Sequence, residues 1–236
     1  MKYRIQTLSF LLILSIFSLT GLQGQEIKDL VRLNELGIDL SITNNILYKS
    51  NLLYDFKIRS NSLTPKDSTN KMANYSAKNE LGKRWKLISV NDSIPSPKVR
   101  EDFNREYNTT IPKKEDKAIM QSIKIASESD LYIIVEYSFD PAYMSVEDYF
   151  LGKSKVSLKI DKRTKRLISA HLKSTESVIV KMWNVDSYEV KINYVYAEAN
   201  SDIFVEDKAY TFNVNMLGKK GKLDFYIDYY QFLKTD

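Results

Sequence analysis

Cysteine is absent from this sequence, and histidine occurs once, at His171. The first absence excludes a thiolate nucleophile, an iron–sulfur cluster, a cysteine-ligated zinc and any disulfide staple, and the second excludes a two-histidine metal site. Glycine is also scarce. None of the seven glycines falls in a G-x-G-x-x-G or G-x-x-x-x-G-K-[ST] loop that would cradle a phosphate, and no D-x-[DN]-x-[DN]-G loop offers itself to calcium. No cofactor is therefore expected. What remains is 236 residues, 43% hydrophobic and 28% charged. That is enough apolar material for a core, and too much charge for a polytopic membrane protein.

Only one long apolar run occurs. Lys2 and Arg4 precede Leu8 to Leu19, and Thr20, Gly21 and Gly24 follow before the first acid, Glu26. A basic start, about a dozen apolar residues and then small residues describe a cleavable export signal, too short to span a bilayer comfortably. Residues 1–24 are thus expected to be a signal peptide, and 25–236 a single β-rich domain, periplasmic or extracellular after cleavage. Removing two of the 35 Lys+Arg leaves 33 against 30 Asp+Glu, a net of +3. That balance does not suit nucleic acid.

In the remaining chain, Ile27, Leu30, Val31 and Leu33 fall near one stripe, with Gly37 where a helix would end, which predicts a short helix over 27–36. Apolar residues on even positions from Ile46 to Ile58 predict a long half-buried strand. Asn61 to Leu81 is polar and aperiodic and is expected to be a mobile loop. Trp85 to Val90 reads as a strand with Trp85 as a core anchor. Ser96 and Pro97 then open a helix to about Tyr107, Ser96 as N-cap and Pro97 at the first helical position. A polar loop through Pro112, Lys113 and Lys114 comes next. Beyond it, β-branched and aromatic enrichment predicts strands at 131–139, 155–160, 167–173, 178–196, 209–217 and 223–232, with one or two helical turns over Met144 to Leu151. Asp161 to Lys165 and Gly218 to Gly221 are short enough for hairpins, so neighbouring strands should pair antiparallel. The pattern sums to an α+β meander of about nine strands with two or three helices.

Catalytic chemistry finds little support. His171 alternates with Ile168, Ala170 and Leu172 and so points with the polar set. Glu101-Asp102, Glu147-Asp148 and Glu136 with Asp140 lack the spacing of a paired-carboxylate site. The chain is not expected to be an enzyme. Two turns are rich in cations: Lys162, Arg163, Lys165 and Arg166, and Lys219, Lys220 and Lys222. Such turns keep a sheet soluble, and the first group is also the candidate contact for an anionic surface. Tyr188, Tyr194, Tyr196, Tyr210, Phe212, Phe225 and Tyr229 recur on strands, where they could line a cleft or pack under a helix. Asp67-Ser68-Thr69 and Asp92-Ser93-Ile94 match a short bacterial O-glycosylation sequence.

The stretch Lys83-Arg-Trp-Lys-Leu-Ile-Ser-Val90, the following Pro95-Ser-Pro97, Asp161-Lys-x-Thr-x-x-Leu167 and the terminal Asp228-Tyr-Tyr before Phe232 resemble uncharacterised exported bacterial proteins. Those in turn resemble the LolA/LolB-like periplasmic lipoprotein carriers. The resemblance covers roughly residues 46–234. It implies a large curved antiparallel sheet, an incomplete barrel, with helices on its concave side around an apolar cavity. No functional residue of that family can be matched to a position here. Two functions follow as expectations. The first is a non-enzymatic cell-envelope protein that binds a lipid or acyl chain between sheet and helices. The second is a protein–protein interaction or structural module of the envelope with a filled core.

Overall fold

A computed structural model describes residues 27–47, 49–64, 67–80, 82–108, 116–144, 149–180, 183–197, 202–216 and 219–234. The expected signal peptide, the loop around Pro112 and the pair Glu147-Asp148 lie outside them.

Helix α1 (residues 27–35) ends as its sequence predicts. Gly37 takes φ +66, its N–H donates to Asn34 O (2.8 Å), and Ile38 N–H reaches back to Leu33 O (3.0 Å). This paired closure uses the left-handed conformation that glycine adopts without penalty. Leu33, fully buried, drives the helix into the sheet.

Residues 46, 47 and 49–53 do not start a strand. Asn45 and Lys49 adopt positive φ, and the adjacent Ile46 and Leu47 are both buried where a strand would alternate. They form a strap that ends in the 3-10 turn Asn51–Leu53. Strand β1 (Tyr54–Leu63) then pairs with β2 (Ser68–Tyr75), and β2 with β3 (Trp85–Val90). The expected mobile loop over 61–81 is therefore corrected: most of it is the end of β1 and the whole of β2. Its sequence lacks apolar alternation because the outer end of this hairpin carries polar side chains on both faces.

Asn91 and Asp92, both at positive φ, make a two-residue turn closed by reciprocal Val90–Ser93 backbone bonds of 3.0 Å. Helix α2 (Pro97–Asn108) follows as predicted, with Arg100 N–H donating to Ser96 O (3.0 Å). The rest is β4 (Lys124–Glu128), β5 (Tyr132–Ser138), β6 (Ser154–Asp161), β7 (Leu167–Ser174), β8 (Val178–Val180), β9 (Trp183–Tyr196), β10 (Ile203–Met216) and β11 (Lys219–Lys234). The expected 178–196 strand is two elements, β8 and β9, and β4 was not foreseen.

The eleven strands among the described residues form one antiparallel sheet in the order β3-β2-β1-β11-β10-β9-β7-β6-β5-β4, with β8 paired to β9. The ends β3 and β4 do not meet, so the barrel is incomplete. Alternation sends Val190, Ile192, Leu158, Leu172 and Val135 to the inner, concave face, where they bury completely around α1 and the strap. A second cluster on the same face joins Phe56, Ile58, Tyr75 and Leu87 to Phe103 of α2. Trp85 is half-buried there, edge-on to Phe56 and Tyr75 at ring separations of 5.6 and 5.0 Å.

Candidate functional site

The long strands β9, β10 and β11 lie across the sheet from β4, to which α1 is tied through Arg32–Glu128 and Asp29–Ile125. Register places Val185 opposite Val214, Phe212 opposite Tyr188 and Leu223, and Tyr210 opposite Phe225. All of these except Tyr188 floor a cleft of about 480 Å³. Val180 and Trp183, from the β8–β9 hairpin, form one wall, and Thr64, just past β1, marks the opposite side. Phe212 organises the floor, edge-on to Phe225 at 5.9 Å and stacked with Tyr210 at 6.3 Å. The size and the almost wholly apolar lining are those of a small-molecule pocket. Of the aromatics singled out in the sequence, Tyr210, Phe212 and Phe225 meet here. Tyr188 and Tyr194 lie deeper, donating their hydroxyls to Phe150 O (2.6 Å) and Ile46 O (2.8 Å). Val180 and Trp183 were read only as part of one strand over 178–196, and Thr64, a turn residue, carried no signal, so the hairpin that brings the first two to the cleft wall was missed.

The inner end of the cleft adjoins a buried polar group. Lys208, fully buried, stands opposite Ile192 and Ile227 with its ammonium 5.5 Å from the Tyr229 ring. Beyond it the strap is held by polar side chains. Asp116 accepts Ile46 N–H at 2.9 Å, and Lys49 donates to Ile42 O and Asn44 O at 2.8 and 2.7 Å. Tyr137 donates to Thr43 O at 3.1 Å. Burial pushes the Asp116 carboxyl up to about 6, against the pull of Ile46 N–H and Lys49, and it pushes the Lys49 ammonium down to about 8. Asn51, also buried, substitutes for a strand partner, donating to Val205 O (3.0 Å) and accepting from Val205 N–H (2.7 Å).

The basic turn after β6 is largely engaged. Lys162 donates to Glu128 (2.7 Å) and to Ser129 O (2.8 Å), Arg166 stacks over Tyr196 at 4.6 Å, and Lys165 donates to Lys162 O. Arg163 is exposed. Glu128 also receives Arg32 at 2.8 Å, and these two donors, Arg32 foremost, hold its carboxyl down to about 2. His171 sits on the outer face 3.4 Å from Glu189, as its alternation predicts. Glu136 is tied to Lys155 (2.6 Å) and Lys124 (3.6 Å), and Asp140 instead caps the 3-10 turn Pro141–Tyr143, so the two acids do not converge. Among the described residues no group of three or more His, Asp or Glu could hold a metal ion. A second cavity of about 450 Å³ beside Asp29, Lys124 and Glu136 is lined by both polar and apolar groups.

No family model matches the chain, and no curated protein matches its sequence. Among solved structures, a LolA superfamily protein from Nitrosomonas europaea is similar to it. The two are 10% identical over 78% of this chain and 86% of that one, with a TM-score of 0.33. The likeness is weak and at the level of fold, and no residue role is carried over from it.

Proposed function

We propose that this chain is a non-enzymatic binding protein of the cell envelope that holds an apolar ligand, a lipid or acyl chain, on the inner face of its sheet. The observation that carries the reading is the cleft floored by Tyr210, Phe212, Leu223 and Phe225. An apolar surface of this kind exposed to water is costly, and an apolar guest relieves that cost. A cleft also favours a binding protein over an interaction module, which would fill its core. The basic start and apolar run of residues 1–24 support export as the route to the envelope. In the same reading Arg163, with Lys162, Lys165 and Arg166 beside it, meets an anionic surface. Native mass spectrometry of the protein purified from its own cells, before and after incubation with palmitate, tests the proposal. The expected spectrum shows a bound lipid that palmitate displaces. A bare protein that also takes up no palmitate would end it.

A further inference from the structure

The inner face changes character where β11 meets β1. Cross-strand register carries one row of residues through Val190, Tyr210, Phe225, Ser62 and Thr69, and the next through Ile192, Lys208, Ile227, Ser60 and Lys71. On β9–β11 the rows are apolar apart from the buried Lys208. On β1–β2 they turn to hydroxyls and an ammonium, one to two strand spacings away, roughly 5–10 Å. Ser60, Ser62, Thr69 and Lys71 are all partly accessible, and their side chains have no hydrogen-bond or ion-pair partner among the described residues. Thr64, which extends the Ser60–Ser62 column, lines the cleft itself. Asp67, in the turn that closes this hairpin, is occupied by Ser68 N–H at 2.8 Å. An apolar floor thus runs straight into a hydrogen-bonding, cationic shelf on one continuous surface, which is the complement of an amphiphile with an anionic head.

The volume limits the apolar part. A methylene fills about as much space as a water molecule, roughly 30 Å³. The cleft of about 480 Å³ therefore holds one long acyl chain and has no room for two.

We propose, building on the apolar-ligand reading above, that the ligand is a single-chain amphiphile with a carboxylate or phosphate head. Its chain lies along β9–β11 and its head turns onto the β1–β2 hairpin, paired with Lys71 and hydrogen-bonded by Ser60, Ser62 and Thr69. The chain supplies affinity by leaving water, and the charge-assisted bonds to the head supply selectivity.

Fluorescence titration of the full chain carrying Trp85→Phe tests this, because Trp183 in the cleft wall is then the sole tryptophan. The probes are palmitate, palmitoyl lysophosphatidylglycerol, neutral monopalmitin and the two-chain dipalmitoyl phosphatidylglycerol. At least one of the two anionic single-chain probes should bind roughly tenfold more tightly than monopalmitin, the value of one charge-assisted pair. Whether that is palmitate or the lysophospholipid names the head. Lys71→Gln should erase the preference and leave monopalmitin binding unchanged. Lys219, which register places on the same face beyond Leu223 and Gly221, is the control. If Lys219→Gln erases the preference and Lys71→Gln does not, or if no preference exists, the shelf does not bind the head. Dipalmitoyl phosphatidylglycerol, with twice the chain volume, binding as tightly as the lysophospholipid would overturn the single-chain assignment. Monopalmitin binding would still uphold the apolar cleft in those cases. Silence of Trp183 to every probe would remove both readings.

Discussion

Asp116 shows how one residue can work against the fold it serves. Its carboxylate is the acceptor that fixes Ile46 N–H in the strap, yet burial raises its pKa to about 6, above the roughly 4 of an unfolded aspartate. With the folded value higher, the native state binds the proton more tightly. The contribution of Asp116 therefore favours folding below about pH 4 and fades as pH rises through 6. Lys49 stays cationic across that window, since its pKa is about 8. Asp116→Asn keeps an oxygen for Ile46 and does not titrate. Urea unfolding of both proteins between pH 4 and pH 7 should show the stability of the parent falling relative to the variant by on the order of 2 kcal/mol, because each tenfold difference in proton affinity between the folded and unfolded chain is worth about 1.4 kcal/mol. A difference that stays flat with pH would place Asp116 in contact with water.

At the level of elements, α1 is joined to the sheet by Leu33 beneath and by Arg32 at its side, and Glu128 on β4 links Arg32 to Lys162. Glu128 is the ordinary case in sign. Its pKa is depressed to about 2, so its contribution is complete above the unfolded value near 4 and is lost as pH falls toward 2. In Glu128→Gln, amide exchange over residues 27–35 should quicken at neutral pH while β9 and β10 keep their protection. Unchanged exchange in α1 would mean that Leu33 and the buried Asp29, which accepts Ile125 N–H at 3.0 Å, suffice. Both helices were legible in the sequence, because Gly37, Ser96 and Pro97 are local signals read without the rest of the fold. Most strands from Tyr132 onward were legible for the same reason, several carrying their own alternation, although β8 and β9 read as one. The β1–β2 hairpin was not: Ser60, Ser62, Thr69 and Lys71 face inward without being buried, so the polar–apolar contrast that marks a strand is missing. The cleft was half legible. Tyr210, Phe212 and Phe225 stood out as strand aromatics, but their meeting with Trp183 and Val180 depends on a short hairpin that only tertiary pairing reveals.

At the scale of the whole molecule, β1–β3 and α2 are fastened to the rest of the sheet along one seam. Strand β1 pairs with β11 from Tyr54↔Lys234 to Leu63↔Asp224, and β11 also sends Ile227, Tyr229 and Phe232 against the second cluster. A chain ending at Met216 would leave β1–β3 and α2 with no sheet to join and would expose the full length of β10 as an edge. Such a truncation should aggregate and lose its cooperative thermal transition, followed by circular dichroism. A sharp transition in the shortened chain would show that the seam is dispensable. The seam also sets a clock. A ribosome delivers the amino end first, so the early hairpin waits, unfastened, through nearly the entire synthesis until the last sixteen-residue strand emerges. Until then the side of β1 that β11 will cover stays open to other partners, so the order of synthesis makes the pairing of these two strands the fastening step.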